Sequence, residues 1–237
     1  MAHLILVRHG QSEWNQQKRF TGWVDVDLTG KGKLEACKAG ELIKKQNIKI
    51  DYFFSSFQLR SINTLKLILN TLRIKKDTIK AWQLNERNYG ELTGLNKDEM
   101  KKKYGEKKIF ELRRSWNIRP KPLKKNNPYH PSNIKIYKNI PTKNIPDTES
   151  LSDTYDRVIS YYKRNIEIKI IKKKNVLISA HGNSLRALCK YLFKLDEKKI
   201  SLLEIPTGNP LFININSNKI SECKYLDRNR AKDLLIF

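Results

Sequence analysis

The chain alternates short unbroken apolar runs with longer stretches in which apolar residues recur every three or four positions. The first run, His3-Leu-Ile-Leu-Val7, stops at Arg8-His9-Gly10, the pattern of a strand buried on both faces. Thr29 then precedes a helical pattern over about 31–45, with Ala36, Ala39, Gly40 and Ile43 on one face. Tyr52-Phe-Phe-Ser55 predicts a second strand, and Leu59, Ile62, Leu65, Leu69 and Leu72 follow it at helical spacing. A weaker strand is predicted over 79–84. Ser150-x-x-Asp153 has the spacing of a capping box ahead of a helix carrying Leu151, Tyr155, Val158, Tyr162 and Ile166. Val176-Leu-Ile-Ser-Ala180 is a further strand, followed by His181-Gly182-Asn183 and a helix with Leu185, Leu188 and Leu192 facing inward. Ile213 and Ile215 predict a last strand before a polar tail over about 224–237.

Buried strands alternating with amphipathic helices predict an α/β fold, a three-layer sandwich with a mostly parallel central sheet flanked by helices on both faces. A chain of 237 residues suits a single domain over 1–237. Six of the eight prolines, at 120, 122, 128, 131, 141 and 146, fall between about 97 and 146. A segment of this kind is expected to be a lid-like insertion, and the C-terminal tail is a second candidate cover.

Ligands of such sheets gather outside the carboxyl ends of the strands. Four polar clusters are predicted there: Arg8-His9-Gly10, Arg60, Glu86-Arg87 and His181-Gly182-Asn183. The two histidines stand in matched settings, each just past an apolar strand and each followed by glycine, which lets a bulky anion approach the backbone. Amides opening the helix after Asn183 form an anion site. Arg8, Arg60, Arg87, Arg113 and Arg114 include residues suited to bidentate binding of tetrahedral oxyanions, and neutral imidazole is a competent nucleophile towards phosphorus. Phosphoryl transfer asks mainly for in-line positioning and positive charge. Glu86 is the candidate proton shuttle, a role that needs burial or nearby phosphate to offset the arginines.

Composition changes this picture little. Of the residues 30% are charged and the formal balance is +24, so acidic partners have to be considered. Lysine outnumbers arginine 35 to 13 and is scattered along the chain, as in Lys101–Lys103 and Lys172–Lys174, which describes a solvated surface and predicts no nucleic-acid partner. No apolar run approaches the roughly 20 residues of a membrane-spanning helix, so neither a membrane protein nor a signal peptide is expected. Three irregularly spaced cysteines, Cys37, Cys189 and Cys223, predict a reducing, cytoplasmic setting. No His-Glu-x-x-His, paired cysteines or aspartate cluster supports a metal, and none is expected.

Taken in order, Leu6-Val-Arg-His-Gly-Gln-Ser-Glu-Trp-Asn15, Phe20-Thr-Gly-Trp23, Glu86-Arg-Asn-Tyr-Gly90, Gly94-Leu-Asn-Lys97, Arg113-Arg114, Thr148-Glu-Ser-Leu151, Ala180-His-Gly-Asn-Ser-Leu-Arg186 and Ile205-Pro-Thr-Gly208 resemble the cofactor-dependent phosphoglycerate mutases of the histidine phosphatase superfamily. The resemblance covers nearly the whole chain. It implies interconversion of 2- and 3-phosphoglycerate in glycolysis and gluconeogenesis through a phosphohistidine, with 2,3-bisphosphoglycerate as primer. It further implies that His9 is the nucleophile, His181 the second histidine, Glu86 the acid/base, and Arg8 and Arg60 the grip on the reacting phosphoryl group. The implied substrate envelope adds Gly10, Gln11, Ser12, Glu13, Trp14, Asn15, Thr21, Gly22, Arg87, Asn88, Tyr89, Lys97, Arg113, Arg114, Gly182 and Asn183. Arg113 and Arg114, with Tyr89 and Lys97, would hold the carboxylate and the second phosphate. A homo-oligomer, dimer or tetramer, is also implied. Gln11, where the family often has glutamate, and Leu59-Arg60-Ser61 are the departures. A phosphatase of the same superfamily and an anion-binding protein without turnover are the rival readings.

Overall fold

A computed structural model describes residues 1–217 and 219–231. Six strands form one sheet in the order β3-β2-β4-β1-β5-β6: β1 (Ala2–Arg8), β2 (Tyr52–Ser55), β3 (Ile79–Lys80), β4 (Val176–Ala180), β5 (Leu211–Asn216) and β6 (Lys219–Tyr225). The pairs β1–β4, β4–β2 and β2–β3 are parallel, and β5 and β6 extend the sheet antiparallel beyond β1. This is the expected mostly parallel sheet.

Alternation along the strands sends side chains to two separate cores. From β1, Leu4 and Leu6 pack with Phe54, Val176, Ile178, Leu185 and Leu188 on one face. Ile5 and Val7 pack with Phe53, Leu177 and Phe212 on the other. Helices α2 (Gly30–Lys44) and α3 (Leu59–Leu72) cover the second face through Ala39, Ile43, Leu65 and Ile68. Helices α6 (Leu151–Tyr161) and α8 (Gly182–Phe193) cover the first, so the three layers of the expected sandwich are present. Each apolar side chain sealed between layers contributes about 1.5–3 kcal/mol, and this double demand explains the unbroken apolar runs.

Local signals set the helix starts. The Thr29 hydroxyl accepts from Gly32 N at the start of α2, and Ser150 and Asp153 cap α6 reciprocally. The helical pattern running on to Ile166 is continuous, but it passes through a π-turn, Tyr162–Glu167, into α7 (Ile168–Ile171).

Two sequence expectations are corrected. The strand expected over 79–84 is only Ile79–Lys80, and Trp82–Leu84 form a 3-10 turn. The strand through Ile213 and Ile215 is not the last: β6 follows it, takes in Lys224 and Tyr225 of the expected tail, and pairs with β5. β6 is an edge strand in which only Tyr225 is buried, so its sequence carries no apolar run. Residues 232–237 of the expected tail lie outside the described residues.

The proline-rich segment is folded. It holds α4 (Lys97–Tyr104), α5 (Glu106–Arg114) and a series of 3-10 turns. Tyr137 within it is fully buried against Trp23, with ring centroids 4.9 Å apart, and its hydroxyl donates to Trp23 O at 2.6 Å.

Candidate active site

The register of two parallel strands builds the centre of the site. β1 and β4 pair Arg8 with Ala180, so His9 and His181 are the next residues out on neighbouring strands. His9 N donates to Ala180 O at 3.0 Å, and the two imidazole rings face each other with centroids 5.0 Å apart.

The His9 ring has one possible tautomer in this setting. Its Nδ1 lies 2.7 Å from Gly10 O, and a carbonyl only accepts, so Nδ1 carries the hydrogen and Nε2 keeps a free lone pair. Burial, then the charges of Arg60 and Arg8, hold the ring well below its ordinary pKa near 6.5, and so neutral. Gly10 must be glycine for a packing reason: a Cβ there would sit 2.1 Å from Gly32 O in the first turn of α2.

His181 is buried and neutral for similar reasons: burial lowers its pKa first, then Arg60 and His9. Its Nε2 is 2.8 Å from the Ser56 hydroxyl. Ser56 Oγ already accepts from Gln58 N, and its proton can be given to His181 Nε2. In that arrangement Nδ1 carries the ring hydrogen, and Nδ1 is buried without a protein partner. With that tautomer it is a donor free to meet an acceptor on a ligand.

Positive charge surrounds the pair. Arg60, second residue of α3, is buried and donates to Val24 O at 2.8 Å and Gly22 O at 2.9 Å. Gly22, at φ +54°, takes the left-handed turn that presents this carbonyl, which also accepts from Gln58 Nε2 at 2.9 Å. Arg8 donates to Ile205 O at 2.8 Å, leaving its Nε buried and unpartnered. Among the described residues neither Arg8 nor Arg60 has a carboxylate in ion-pair range. A buried Arg60 and a half-buried Arg8, neither held in an ion pair, favour an anion between them.

Glu86 is held by the loop that follows the Trp82–Leu84 turn. Its Oε1 accepts from Arg87 N at 2.7 Å and from Asn183 N, in the first turn of α8, at 3.2 Å. The Asn183 side chain donates to Tyr89 Oη at 2.9 Å.

These residues line one cavity of about 110 Å³: Arg8, His9, Asn15, Thr21, Gly22, Arg60, Glu86, Tyr89, Lys97, Arg113, Arg114, Gly182 and Asn183 all reach it. Burial and the charges of Arg113 and Arg8 lower the Lys97 ammonium to about 8.

The other sequence-predicted residues lie outside the cavity wall and shape it. Ser12 caps α1 (Glu13–Gln16) in a reciprocal box with Asn15. Gln11 accepts from Thr29, and Trp14 is buried beneath the Arg19 guanidinium. Arg87 turns away to Glu149 O and Ile118 O, and Asn88 bonds Pro146 O. Three wall residues were missed: Arg186, Glu204 and Ile205. Arg186 lies three residues past Asn183 on one helix, a same-face spacing that could have found it. Nothing in the sequence marks Glu204. Among the described residues no group of three or more His, Cys, Asp or Glu side chains could hold a metal.

Two neighbouring neutral imidazoles, with His9 opening into an arginine-walled cavity at the carboxyl edge of a parallel sheet, define a phosphohistidine-type phosphoryl-transfer site. The family model for the histidine phosphatase superfamily, branch 1, matches residues 4–127, and the chain belongs to that superfamily. It is 71% identical to a 2,3-bisphosphoglycerate-dependent phosphoglycerate mutase of Pelagibacter ubique, with both chains fully covered. A mutase of the same description from Caulobacter sp. is 46% identical over 99% of this chain and 98% of its own. Among solved structures, a putative alpha-ribazole-5'-P phosphatase of Escherichia coli superposes with a TM-score of 0.70, over 95% of this chain and 96% of that one, at 17% identity. A mycobacterial glucosyl-3-phosphoglycerate phosphatase gives 0.69, over 95% and 98%, at 19%. These two show the shared fold.

Proposed function

We propose that this chain interconverts 2-phosphoglycerate and 3-phosphoglycerate as a 2,3-bisphosphoglycerate-dependent phosphoglycerate mutase of glycolysis and gluconeogenesis. The observation that carries this reading is the neutral His9 with a free Nε2, set beside the unpartnered Nδ1 of His181 and flanked by Arg8 and Arg60, which make no ion pair among the described residues. Full-length identity of 71% to a mutase supports the choice of substrate.

In this reading His9 Nε2 attacks phosphorus, the phosphorus–oxygen bond to the leaving group breaks, and Glu86 gives the departing oxygen its proton. In the return step Glu86 takes the proton of the accepting hydroxyl while the phosphoryl group leaves Nε2. Arg8, Arg60, the His181 ring and the α8 N-terminus hold the equatorial oxygens throughout. The 2,3-bisphosphoglycerate primer supplies the phosphoryl group that loads His9. The unpartnered Arg8 Nε and His181 Nδ1 fit such a dianionic group. Tyr89, Lys97, Arg113 and Arg114 receive the carboxylate and the second phosphate. Because α4 and α5 carry Lys97, Arg113 and Arg114, the 97–146 segment acts as the cover that keeps water from the phosphohistidine. No metal takes part in this scheme.

No described helix is long and apolar enough to cross a membrane, and Cys37, Cys189 and Cys223 are free thiols. Free thiols fit work in the reducing cytoplasm, and the proposal includes a homo-oligomer acting on small phosphoglycerates, without nucleic acid.

The test is conversion of 3-phosphoglycerate with and without 2,3-bisphosphoglycerate, with a chelator present, in wild type and His9→Ala. Turnover should need the primer, tolerate the chelator and vanish in the variant. Release of inorganic phosphate in place of isomerisation would make the protein a phosphatase.

A further inference from the structure

Three of the cavity arginines are tied to a single short stretch of chain, 200–205. Arg186 donates to Ile200 O, Arg114 to Leu203 O at 3.2 Å and Arg8 to Ile205 O at 2.8 Å. The same stretch gives the cavity wall two residues just after α9 (Glu197–Leu202), Ile205 and the ionisable Glu204. Glu204 and Glu86 are the two carboxylates of that wall, against six cations: Arg8, Arg60, Lys97, Arg113, Arg114 and Arg186.

Glu204 has taken one of these cations. Its Oε1 accepts from an Arg114 terminal nitrogen, the other being held by Leu203 O. Each terminal nitrogen of Arg114 therefore has one of its two N–H groups already in use. Its neighbour Arg113, at the end of the same helix, makes no ion pair among the described residues. The pair is displaceable: Glu204 is 52% exposed and can swing into water, whereas the Arg114 side chain is 13% exposed and stays.

We propose that Glu204 is an internal anion, occupying the place on Arg114 that a second anionic group of the ligand takes when it binds, so that each binding event displaces it. The carboxylate holds the cationic wall in place while the cavity is empty and weakens ligand binding by the strength of one half-exposed ion pair. That sets the affinity and the ease of product release. The proposal rests on the mutase reading for its ligand.

The test compares wild type with Glu204→Gln, reading KM in turnover and Kd by calorimetry for 3-phosphoglycerate and for glycerol 3-phosphate, which has one anionic group. Glu204→Gln should lower both constants for 3-phosphoglycerate by about two- to fivefold, the scale of an exposed ion pair, with a smaller change for glycerol 3-phosphate. An unchanged or raised Kd for 3-phosphoglycerate would make Glu204 a bystander or a splint for Arg114, and equal gains for both ligands would mean a general field effect. Either result overturns the proposal. Calorimetry reads it without turnover, so a protein that binds but does not isomerise would sink the mutase reading and leave Glu204 still judged.

Discussion

His9 and His181 face each other at 5.0 Å across the edge of two parallel strands, and neither ring is hydrogen-bonded to a carboxylate. A carboxylate partner would favour imidazolium. A main-chain carbonyl and a serine hydroxyl do not, and together with burial and arginine charge they keep both rings neutral.

That neutrality sets a pH dependence. An ordinary histidine loses half its nucleophilic form near pH 6.5, whereas His9 is held well below that value. Loading of His9 with a phosphoryl group, followed by quench-flow and an acid-labile phosphate assay, should keep its rate as pH falls through 6.5. The linked stability has a definite sign. Below about 6.5 the unfolded chain takes up protons at both positions and the folded one does not, so their stabilising contribution is complete above that pH and declines as pH falls. A loading rate that halves near 6.5 would contradict the assignment of causes.

Lys97 gives the opposite limb. Burial and two arginines bring its ammonium down to about 8, so its charge is lost as pH climbs from about 7 to about 9. The KM for 3-phosphoglycerate should rise over that window, and Lys97→Arg, charged throughout, should flatten it. A KM profile identical in the two proteins would take Lys97 out of the binding wall.

Arg186 ties the α8 N-terminus to its surroundings. One terminal nitrogen donates to Asn183 Oδ1 at 2.8 Å, and Asn183 in turn reaches Tyr89 and Glu86. Burial, then Arg114, lowers this guanidinium to about 9, and it makes no ion pair among the described residues. Arg186→Met should lower kcat/KM by about ten- to a hundredfold, the worth of a buried hydrogen bond to a charged group. Arg186→Lys should recover part of it. Steady-state kinetics beside a thermal melt separate this from simple unfolding.

Gly10→Ala tests the packing behind the nucleophile. The new methyl would stand 2.1 Å from Gly32 O, so the His9 loop or the start of α2 must move. Overpacking of this kind costs about 1–3 kcal/mol, or about 2–4 °C of melting temperature per kcal/mol at this chain length. Activity should fall further than stability, because Gly10 O orients the His9 ring.

Much of this architecture was readable beforehand for local reasons. Leu4 to Val7 and Val176 to Ala180 are apolar because both sheet faces are covered, and Thr29 and Ser150 mark helix starts because a hydroxyl at that position satisfies a free amide. The resemblance of the ordered motifs led to His9, Glu86, His181, Arg8 and Arg60 as one set; His9, Glu86, Arg8 and Arg60 line one cavity, and His181 lies beside His9 with ring centroids 5.0 Å apart. β6 was hidden because an exposed edge strand needs no apolar pattern. The packing of Tyr137 was hidden because its partner, Trp23, is 114 residues away.

The chain by itself determined which segments would be buried, where helices would begin and which side chains could carry phosphoryl chemistry, since burial patterns, caps and chemical types are properties of neighbouring residues. Only the folded molecule decided that Arg8 pairs with Ala180, and therefore that the two histidines meet. It also decided that Gly10 O fixes the His9 tautomer and that Arg114 already holds a carboxylate of its own. Strand register, ring orientation and ion pairing between distant segments arise from packing the whole chain into one volume, and no local stretch contains that information.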